Sequence, residues 1–287
     1  MLGFKDLLTF APIMQIQDTI TSTQNPKIKA LMLLQQKSSC RREQRLFVVE
    51  GRRELMHCLS RGYEADTLFL CPEILRAEPE YGRLMDTLPK CRTIQVSPNV
   101  YERIAYRGGT EGIVATIRMK GHGLDTLPVP ADGHAPLYVV LESVEKPGNL
   151  GAILRSADAA GVDAVIVCDP LTDLYNPNLI RSSLGGIFSV PTVACTSQEC
   201  IEHFRQEGIR ILTAQLQDSS LYYDTDMTLP TAIVMGTEAT GLTTRWREAA
   251  DAHIRIPMLG ILDSLNVSVS AAILMFEAVR QRQTVCK

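Results

Sequence analysis

Residues 256–270 read IPMLGILDSLNVSVS. This stretch connects a predicted strand, residues 253–256, to a predicted helix that runs from Val267 to Arg282. Three short hydrogen-bonding side chains fall close to the start of that helix, namely Ser264, Asn266 and Ser268. One such side chain is enough to cap a helix, so the other two indicate a functional site where the strand ends.

A second specialised segment, residues 145–155, reads EKPGNLGAILR and follows another predicted strand. Gly148 and Gly151 permit close approach of neighbouring backbone, and Asn149 is a predicted helix N-cap. Arg155 lies six residues beyond Asn149, so at 100° per residue the two side chains stand about 120° apart around the helix. A capped helix with one exposed arginine is the purely structural alternative.

A third segment, residues 234–242, reads VMGTEATGL and ends a buried strand in a glycine-rich turn that carries Glu238. The turn has neither the G-x-G-x-x-G spacing of dinucleotide sites nor the Lys-Ser/Thr pair of a P-loop. An ordinary strand-to-helix turn, with Thr243 or Thr244 as the cap of the next helix, is the alternative to a binding site.

Short apolar strands alternate with helical stretches throughout the second half of the chain. The predicted strands are residues 137–141, 164–168, 189–194, 209–213, 231–235 and 253–256. The predicted helices are residues 150–160, 178–184, 198–206 and 267–282. Strands separated by helices form a parallel sheet with covered faces, and such sheets bind their ligands at the carboxyl ends of the strands.

The first half of the chain predicts a smaller α/β domain. Pro26 begins a predicted helix that continues to Gln36, and the predicted strands are residues 46–49, 67–71, 93–96 and 112–117. Residues 120–136, KGHGLDTLPVPADGHAP, have the glycine- and proline-rich composition of a linker. The predicted organisation is an extension over residues 1–15, a first domain over 16–119, a linker over 120–136 and a second domain over 137–287.

Charge and cysteine content narrow the class of protein. The net charge of −3 conceals an excess of basic residues in residues 1–120, where 18 lysines and arginines face 13 acidic residues. This excess indicates a polyanionic partner. The alternative is that the charges are distributed by chance over solvent-exposed surfaces.

The eight cysteines include no C-x-x-C pair, so no metal site is predicted. No apolar run reaches the ~18–20 residues of a membrane helix, and we expect a cytoplasmic protein with reduced thiols.

Taken together, the three segments resemble the motifs of the SpoU (TrmH) family of RNA ribose 2′-O-methyltransferases, which belongs to the knotted SPOUT class. The order is N-x-G-x-x-x-R, then M-G-x-E-x-x-G-L, then I-P-M-x-G-x-x-x-S-L-N-V-S-V-S, and the resemblance covers residues 137–287. The first domain is similar to the L30e-like RNA-binding module of that family, on the strands LFVVEG (46–51) and GIVA (112–115). That second match is less specific.

The resemblance implies a parallel sheet tied in a trefoil knot, S-adenosylmethionine as the cofactor, and a homodimer. It implies cofactor-binding positions at Gly236, Ile256, Met258, Gly260 and Leu265. We expect Gly236 and Gly260 to let the backbone approach the adenosine. The long helix from Val267 to Arg282 would contribute to the dimer interface or to a core, through apolar positions that are Val269, Ala272, Ile273, Phe276 and Val279.

The resemblance also implies the reaction, which is attack of a ribose 2′-oxygen on the sulfonium methyl group. It assigns the chemistry to Asn149, Arg155, Glu238, Ser264 and Asn266. Arg155 would either clamp a phosphate beside the target ribose or accept the proton of the 2′-hydroxyl. RNA is the expected partner and DNA is excluded, because only RNA carries that hydroxyl. The candidate phosphate-binding residues of the first domain are Lys27, Lys29, Arg41, Arg42, Arg45, Arg52 and Arg53.

Three departures from the family pattern leave the RNA specificity open. Ala239 replaces a glycine after Glu238, Lys146 replaces an acidic residue or asparagine, and residues 107–112 replace a His-Gln-Gly sequence before the last strand of the first domain. Ribosomal RNA is the expected substrate because of the separate L30e-like domain. Transfer RNA is the alternative, and a knotted RNA-binding protein without catalytic activity is an alternative from a different class.

Overall fold

The protein was analysed as a computed structural model, which describes residues 16–76, 85–105, 111–128, 130, 132–237 and 240–285. The chain divides into two compact units, with the boundary between Met119 and Lys120. The extension predicted over residues 1–15 lies outside the described residues. The knot implied by the resemblance depends on the path of the chain through residues 238–239, which are also outside them, and it stays a prediction.

The first unit is built on a five-stranded mixed sheet. Its strands are β1 (Ile16–Ile20), β2 (Leu46–Glu50), β3 (Ala65–Leu70), β4 (Arg92–Val96) and β5 (Ile113–Arg118). The spatial order is β1-β4-β3-β5-β2; β4 is parallel to both β1 and β3, and β5 is antiparallel to both β2 and β3. The four predicted strands are confirmed, whereas β1 was not predicted because its polar residues give it no apolar run.

Helices cover this sheet and close its apolar core. They are α1 (Pro26–Gln36), α2 (Ser38–Gln44), α3 (Arg52–Ser60), α4 (Pro72–Leu75) and α5 (Pro98–Ile104). The predicted start of α1 is confirmed, since Pro26 occupies its first position and the Asn25 side chain accepts a hydrogen bond from the Lys27 amide at 2.9 Å. Ile28, Leu31 and Tyr101 are buried in one apolar cluster with Phe69 of β3 and Ile94 of β4.

The second unit contains a seven-stranded sheet that is parallel throughout, as the sequence predicts. Its strands are β6 (Leu137–Glu142), β7 (Ala164–Cys168), β8 (Thr192–Cys195), β9 (Arg210–Ala214), β10 (Ser220–Leu221), β11 (Thr231–Met235) and β12 (Ala252–Arg255). The spatial order is β10-β12-β9-β11-β6-β7-β8. The chain runs outward from β6 to β8 and then continues on the other side of β6, so the direction of winding reverses beside β6. Ligands of parallel sheets bind at such a reversal.

The helices of this unit are α6 (Pro147–Ala160), α7 (Pro177–Ser182), α8 (Gly186–Ser189), α9 (Ser197–Glu207), α10 (Thr244–Ala249) and α11 (Val267–Val285). Strand β8 begins three residues later than predicted, because Gly185 adopts a left-handed conformation (φ 85°) from which α8 starts. In the described residues, no helix is long and apolar enough to cross a membrane.

Helix α11 separates its core positions from an apolar outer face. Its buried residues are Val267, Ala271, Leu274, Met275 and Ala278. The five apolar residues predicted for an interface or a core do not lie in the core. Val269 is 48% exposed and Phe276 is 47% exposed, and the other three, Ala272, Ile273 and Val279, are half-buried. Within one chain they are therefore not the core.

The predicted linker is more structured than its composition suggests. The His122 carbonyl accepts a hydrogen bond from the Ala194 amide at 2.6 Å, and His122 Nδ1 donates to the Thr192 carbonyl at 2.6 Å. Leu124 and Leu127 pack against the core of the second unit. Residues 120–127 thus belong to the second unit, because the packing of the two leucines and the hydrogen bonds of His122 fix this segment in spite of its glycines.

A buried carboxylate at the end of β6 holds the loop that follows β11. Glu142 is only 3% exposed, and it accepts one hydrogen bond from the Thr243 amide at 2.9 Å and another from the Thr243 hydroxyl at 2.7 Å. Thr243 precedes α10, as predicted, but its hydroxyl serves Glu142 instead of capping the helix. The end of β6 and the loop after β11 are therefore fixed to one another.

We expect Thr243→Val to lower the free energy of unfolding by about 1–3 kcal/mol, because it removes a hydrogen bond from a buried charge. The isosteric side chain preserves the local shape. Urea unfolding monitored by circular dichroism measures the change. The matched control is Thr244→Val on the neighbouring exposed residue, and equal losses in the two variants would contradict the assignment.

Candidate functional site

A cavity of about 630 Å³ opens at the carboxyl ends of strands β9, β11 and β12. Its described walls include four stretches of chain: residues 214–217, the described residues of 235–242, residues 254–256 with Met258, and residues 263–267. Arg247 of α10 and Ser270 and Leu274 of α11 add to the lining. The second and third motifs of the sequence therefore meet in one cavity.

A smaller cavity of about 220 Å³ adjoins the first and receives the first motif. It is lined by Val144, Glu145, Lys146, Asn149, Gly236, Thr237 and Val267. Gly236, Thr237 and Val267 line both cavities. All three motifs thus contribute to one composite site beside β6, as the parallel topology requires.

A hydrogen bond between two asparagines joins the motifs at this site. Asn266 Nδ2 donates to Asn149 Oδ1 at 3.2 Å. Asn266 Oδ1 in turn accepts from the Ser268 amide at 2.9 Å and from the Ser268 hydroxyl at 2.6 Å. Asn266 therefore caps the start of α11 with its side-chain oxygen, and its side-chain nitrogen holds Asn149 where the two cavities meet.

The role predicted for Asn149 as a helix cap is wrong. Helix α6 begins at Pro147, two residues earlier, because the fixed φ of proline suits a first helical position. Asn149 lies inside the first turn, and its side-chain oxygen is used by Asn266. The close approach predicted at Gly151 is confirmed, since a Cβ there would overlap Ser182. At Gly148 a Cβ would meet open space.

Gly236 has a structural reason to be glycine. A Cβ built on it would overlap the backbone carbonyl of Gly241, on the far side of the turn after β11. Thr237 and Gly241 form an isolated bridge that closes this turn. The turn itself requires glycine at this position, in addition to any space that a cofactor needs.

The other predicted cofactor positions divide into two groups. Ile256, Met258 and Leu265 line the larger cavity, as does the predicted catalytic residue Ser264, whose hydroxyl donates to Asp263 Oδ1 at 3.2 Å. Gly260 does not line either cavity and is exposed. Glu238 lies outside the described residues.

Arg155 is exposed and lines neither cavity of its own chain. It is six residues beyond Asn149 on α6, which corresponds to about 9 Å along the helix axis. Within the described part of the chain its guanidinium has no hydrogen-bond or ion-pair partner. The structure of one chain therefore brings Asn149, Ser264 and Asn266 together but leaves Arg155 apart from them.

Sequence reasoning missed one wall of the larger cavity. Gln215, Leu216 and Gln217 follow β9, and Arg247 lies on α10. The sequence could have indicated Gln215, Leu216 and Gln217. They follow β9, and every segment that follows a strand of a parallel sheet starts at the same edge of that sheet. The position of Arg247 depends on how α10 packs, which no local pattern discloses.

The basic candidates of the first unit have different environments. Lys29, Arg42, Arg45 and Arg53 are exposed. Lys27 is half-buried and forms an ion pair with Asp18 at 2.6 Å. Arg52 is half-buried as well.

The assignment of Arg41 to a phosphate contact is wrong. Its residue exposure is 3%, and its guanidinium donates to the Leu34 carbonyl at 2.6 Å and to the Gln35 carbonyl at 3.2 Å. These carbonyls end helix α1, so Arg41 acts as a cap for that helix.

Comparison with known proteins identifies both units. Residues 136–276 match the SpoU rRNA Methylase family, and residues 25–115 match the MRM3-like substrate binding domain. A 23S rRNA (uridine(2479)-2′-O)-methyltransferase of Streptomyces viridochromogenes is 32% identical over 244 residues, which cover 82% of this chain and 83% of that protein. The chain belongs to the SpoU rRNA methylase family.

Further members of the SpoU family share sequence and structure with this chain. The 23S rRNA guanosine-2′-O-methyltransferase RlmB of Vibrio vulnificus is 36% identical over 70% of this chain and 84% of its own length. The crystal structure of the SpoU methyltransferase AviRb from Streptomyces viridochromogenes, in complex with AdoMet, superposes with a TM-score of 0.82 at 30% identity and covers 91% of this chain and 99% of that one. The two-domain SpoU fold predicted from the sequence is confirmed.

We expect Gly236→Ala to lower the free energy of unfolding by about 1–3 kcal/mol, because the added Cβ forces the turn apart. Gly260→Ala is the matched control: its Cβ would meet no atom within 4 Å, so its expected effect is below about 0.5 kcal/mol. Urea titration of both purified variants gives the comparison. Equal stability of the two variants would show that the turn tolerates a side chain at Gly236.

Proposed function

We propose that this chain transfers a methyl group from S-adenosylmethionine to a ribose 2′-hydroxyl of ribosomal RNA. The observation that carries the proposal is the composite site, in which all three SpoU motifs line two adjoining cavities at the carboxyl ends of parallel strands. Two relatives that match 82% and 70% of this chain are named as 23S rRNA 2′-O-methyltransferases. This favours ribosomal over transfer RNA.

The larger cavity suits the cofactor in size and chemistry. Apolar side chains, including Leu216, Ile256 and Leu265, provide a surface for a purine ring. Residues 236–237, 240–242 and 263–266 also line the cavity and bring backbone amides and carbonyls to it. S-Adenosylmethionine supplies an activated methyl group, so the protein's task is to align donor and acceptor and to remove a proton.

The smaller cavity suits the acceptor nucleotide. It shares a wall with the cofactor cavity, and Lys146 at its edge carries the charge that attracts a phosphate. The Asn149–Asn266 pair lies where the two cavities meet. Asn149 thus orients the acceptor, while Asn266 and Ser264 shape the cofactor side.

We further propose that Arg155 acts across a homodimer. Since Arg155 is remote from the cavities of its own chain, a two-fold pairing that covers the outer faces of α6 and α11 would carry it to the composite site of the partner. The exposed Val269 and Phe276 provide an apolar surface for this pairing. At that site the guanidinium holds the phosphate beside the target ribose or takes the proton of the 2′-hydroxyl.

The first unit would hold the RNA through phosphate contacts. Lys29, Arg42, Arg45 and Arg53 remain as candidates because their side chains are exposed. Such contacts release counterions, so RNA binding weakens steeply as salt rises. The unit as a whole matches a substrate binding domain. A role without catalysis is disfavoured, because Asn149, Ser264 and Asn266 meet at a cavity that such a protein does not need.

The cofactor assignment predicts that Ile256→Asp lowers the affinity for S-adenosylmethionine about tenfold or more, since it places a carboxylate against the apolar wall. Ile261→Asp introduces the same change in the same segment at a fully exposed residue outside the cavity, and it should bind as the unmodified protein does. Isothermal calorimetry measures both. Unchanged affinity of Ile256→Asp would remove this cavity as the cofactor site.

The catalytic assignment predicts that Arg155→Ala abolishes methyl transfer while cofactor affinity is retained. A phosphate clamp would leave some activity in Arg155→Lys, whereas a finely positioned base would leave almost none. Mapping of 2′-O-methyl groups in the RNA of a deletion strain, complemented with each variant, measures the effect and identifies the nucleotide. A missing methyl group in transfer RNA alone would contradict the ribosomal proposal.

Mixed dimers separate action within a chain from action across the dimer. At S-adenosylmethionine concentrations far below the weakened dissociation constant of Ile256→Asp, chains that carry either Arg155→Ala or Ile256→Asp are expected to be inactive. If Arg155 acts on the partner's site, mixing and re-equilibrating the two should restore activity to about a quarter of normal, because half of the dimers would have one complete site. No restoration, once exchange of chains is demonstrated, would place Arg155 at the site of its own chain.

A further inference from the structure

Three thiols that are far apart in sequence meet at the β8 side of the second sheet. The sulfur atoms of Cys168, Cys195 and Cys200 all lie within 4.8 Å of one another. Cys168 ends β7 and Cys195 ends β8, and the parallel register places them directly opposite each other. Cys200 approaches from the first turns of α9. Cys168 and Cys195 are 27 residues apart in the sequence, and Cys195 and Cys200 are 5 apart, so no metal-binding sequence motif indicated the cluster.

The separation of the sulfurs matches the geometry of a metal–thiolate site. The Sγ atoms of Cys168 and Cys195 are 3.9 Å apart. A cation with metal–sulfur bonds of about 2.3 Å has its sulfurs roughly 3.8–4.0 Å apart in tetrahedral or trigonal coordination. The Cys168–Cys195 pair therefore already has the required separation, and Cys200 needs to move by less than about 1 Å.

A helix N-terminus and a path from solvent lie beside the cluster. Helix α9 starts at Ser197 with a capping box between Thr196 and Glu199, so the positive end of its dipole lies beside the three sulfurs. Cys168 and Cys200 are buried, while Cys195 is half-exposed and gives access from solvent.

Asp169, which directly follows Cys168, has another partner. Asp169 Oδ2 accepts hydrogen bonds from the Ser197 hydroxyl at 2.5 Å and the Ser197 amide at 3.2 Å, and the same hydroxyl accepts from Trp246 Nε1 at 2.9 Å. Among the described residues, the metal-ligating group consists of the three cysteines alone. Three sulfurs fill the coordination of Cu⁺, whereas Zn²⁺ would keep a water molecule on the exposed side of Cys195.

We propose that Cys168, Cys195 and Cys200 form a binding site for one thiophilic cation, Zn²⁺ or Cu⁺. Binding forms three metal–sulfur bonds and releases the protons of the three thiols to water, and neither sulfur nor metal changes its oxidation state. The ion would join strands β7 and β8 to helix α9. It lies apart from the composite site, so it stabilises the fold and takes no part in the proposed methyl transfer.

The test uses the full chain, purified under reducing conditions without oxygen. One aliquot is titrated with Zn²⁺ and another with Cu⁺, each against a competing chelator, and bound metal is counted by mass spectrometry. We expect one ion per chain and a rise of the melting temperature with either metal that binds. Binding of neither ion in stoichiometric amount overturns the proposal.

Variants assign the ion to these thiols. Loss of an outer-shell partner costs about 10–100-fold in metal affinity, so removal of a ligand in Cys195→Ser should cost at least roughly 100-fold. Cys91→Ser, at a half-exposed cysteine of the first unit, is the matched control and should bind as the unmodified chain does. Equal affinity of Cys195→Ser and Cys91→Ser overturns the assignment. A second measurement on the unmodified chain does not depend on the folding of a variant. If the chain binds Zn²⁺, replacement of Zn²⁺ by Co²⁺ should give sulfur-to-cobalt charge-transfer absorption, and its absence overturns the site.

Discussion

Strands β6 and β11 pair in parallel with Leu141 opposite Met235, and this pairing brings the ends of both strands to the same level. Gly236 follows one strand directly, and Glu142 ends the other. The buried carboxylate of Glu142 then holds Thr243, which closes the far end of the turn. Every wall of the two cavities is placed relative to this pair of strands.

The position of the composite site follows from the same constraint. A parallel sheet presents its carboxyl ends along one edge, and the reversal beside β6 leaves room there for a ligand. The hydrogen bond between Asn149 and Asn266 joins segments that are 117 residues apart. It couples the start of α6 to the start of α11, so the two helices that would form the interface of the proposed dimer are also those that position the proposed chemistry.

Features that depend on local sequence pattern or on the order of segments along the chain could be predicted from the sequence. Apolar strands alternating with helices predicted the parallel sheet, and the resemblance to the SpoU motifs implied that Ile256, Met258 and Leu265 share a site. Features that depend on tertiary packing could not be predicted. Arg41 looks like any surface arginine until the carbonyls of α1 are placed beside it, and Asn149 looks like a cap until Asn266 is placed beside it. The three clustered cysteines have no common spacing, because two of them are neighbours only through the pairing of β7 with β8.

The segment after Met119 has a consequence for how the protein behaves in solution. Strand β8 lies at the border of its sheet, where free amides and carbonyls would recruit strands of other molecules. His122 occupies this border by bonding to Ala194 and Thr192. The opposite border, β10, is only two residues long. Neither border of this sheet therefore offers an extended template on which strands of other molecules could pair.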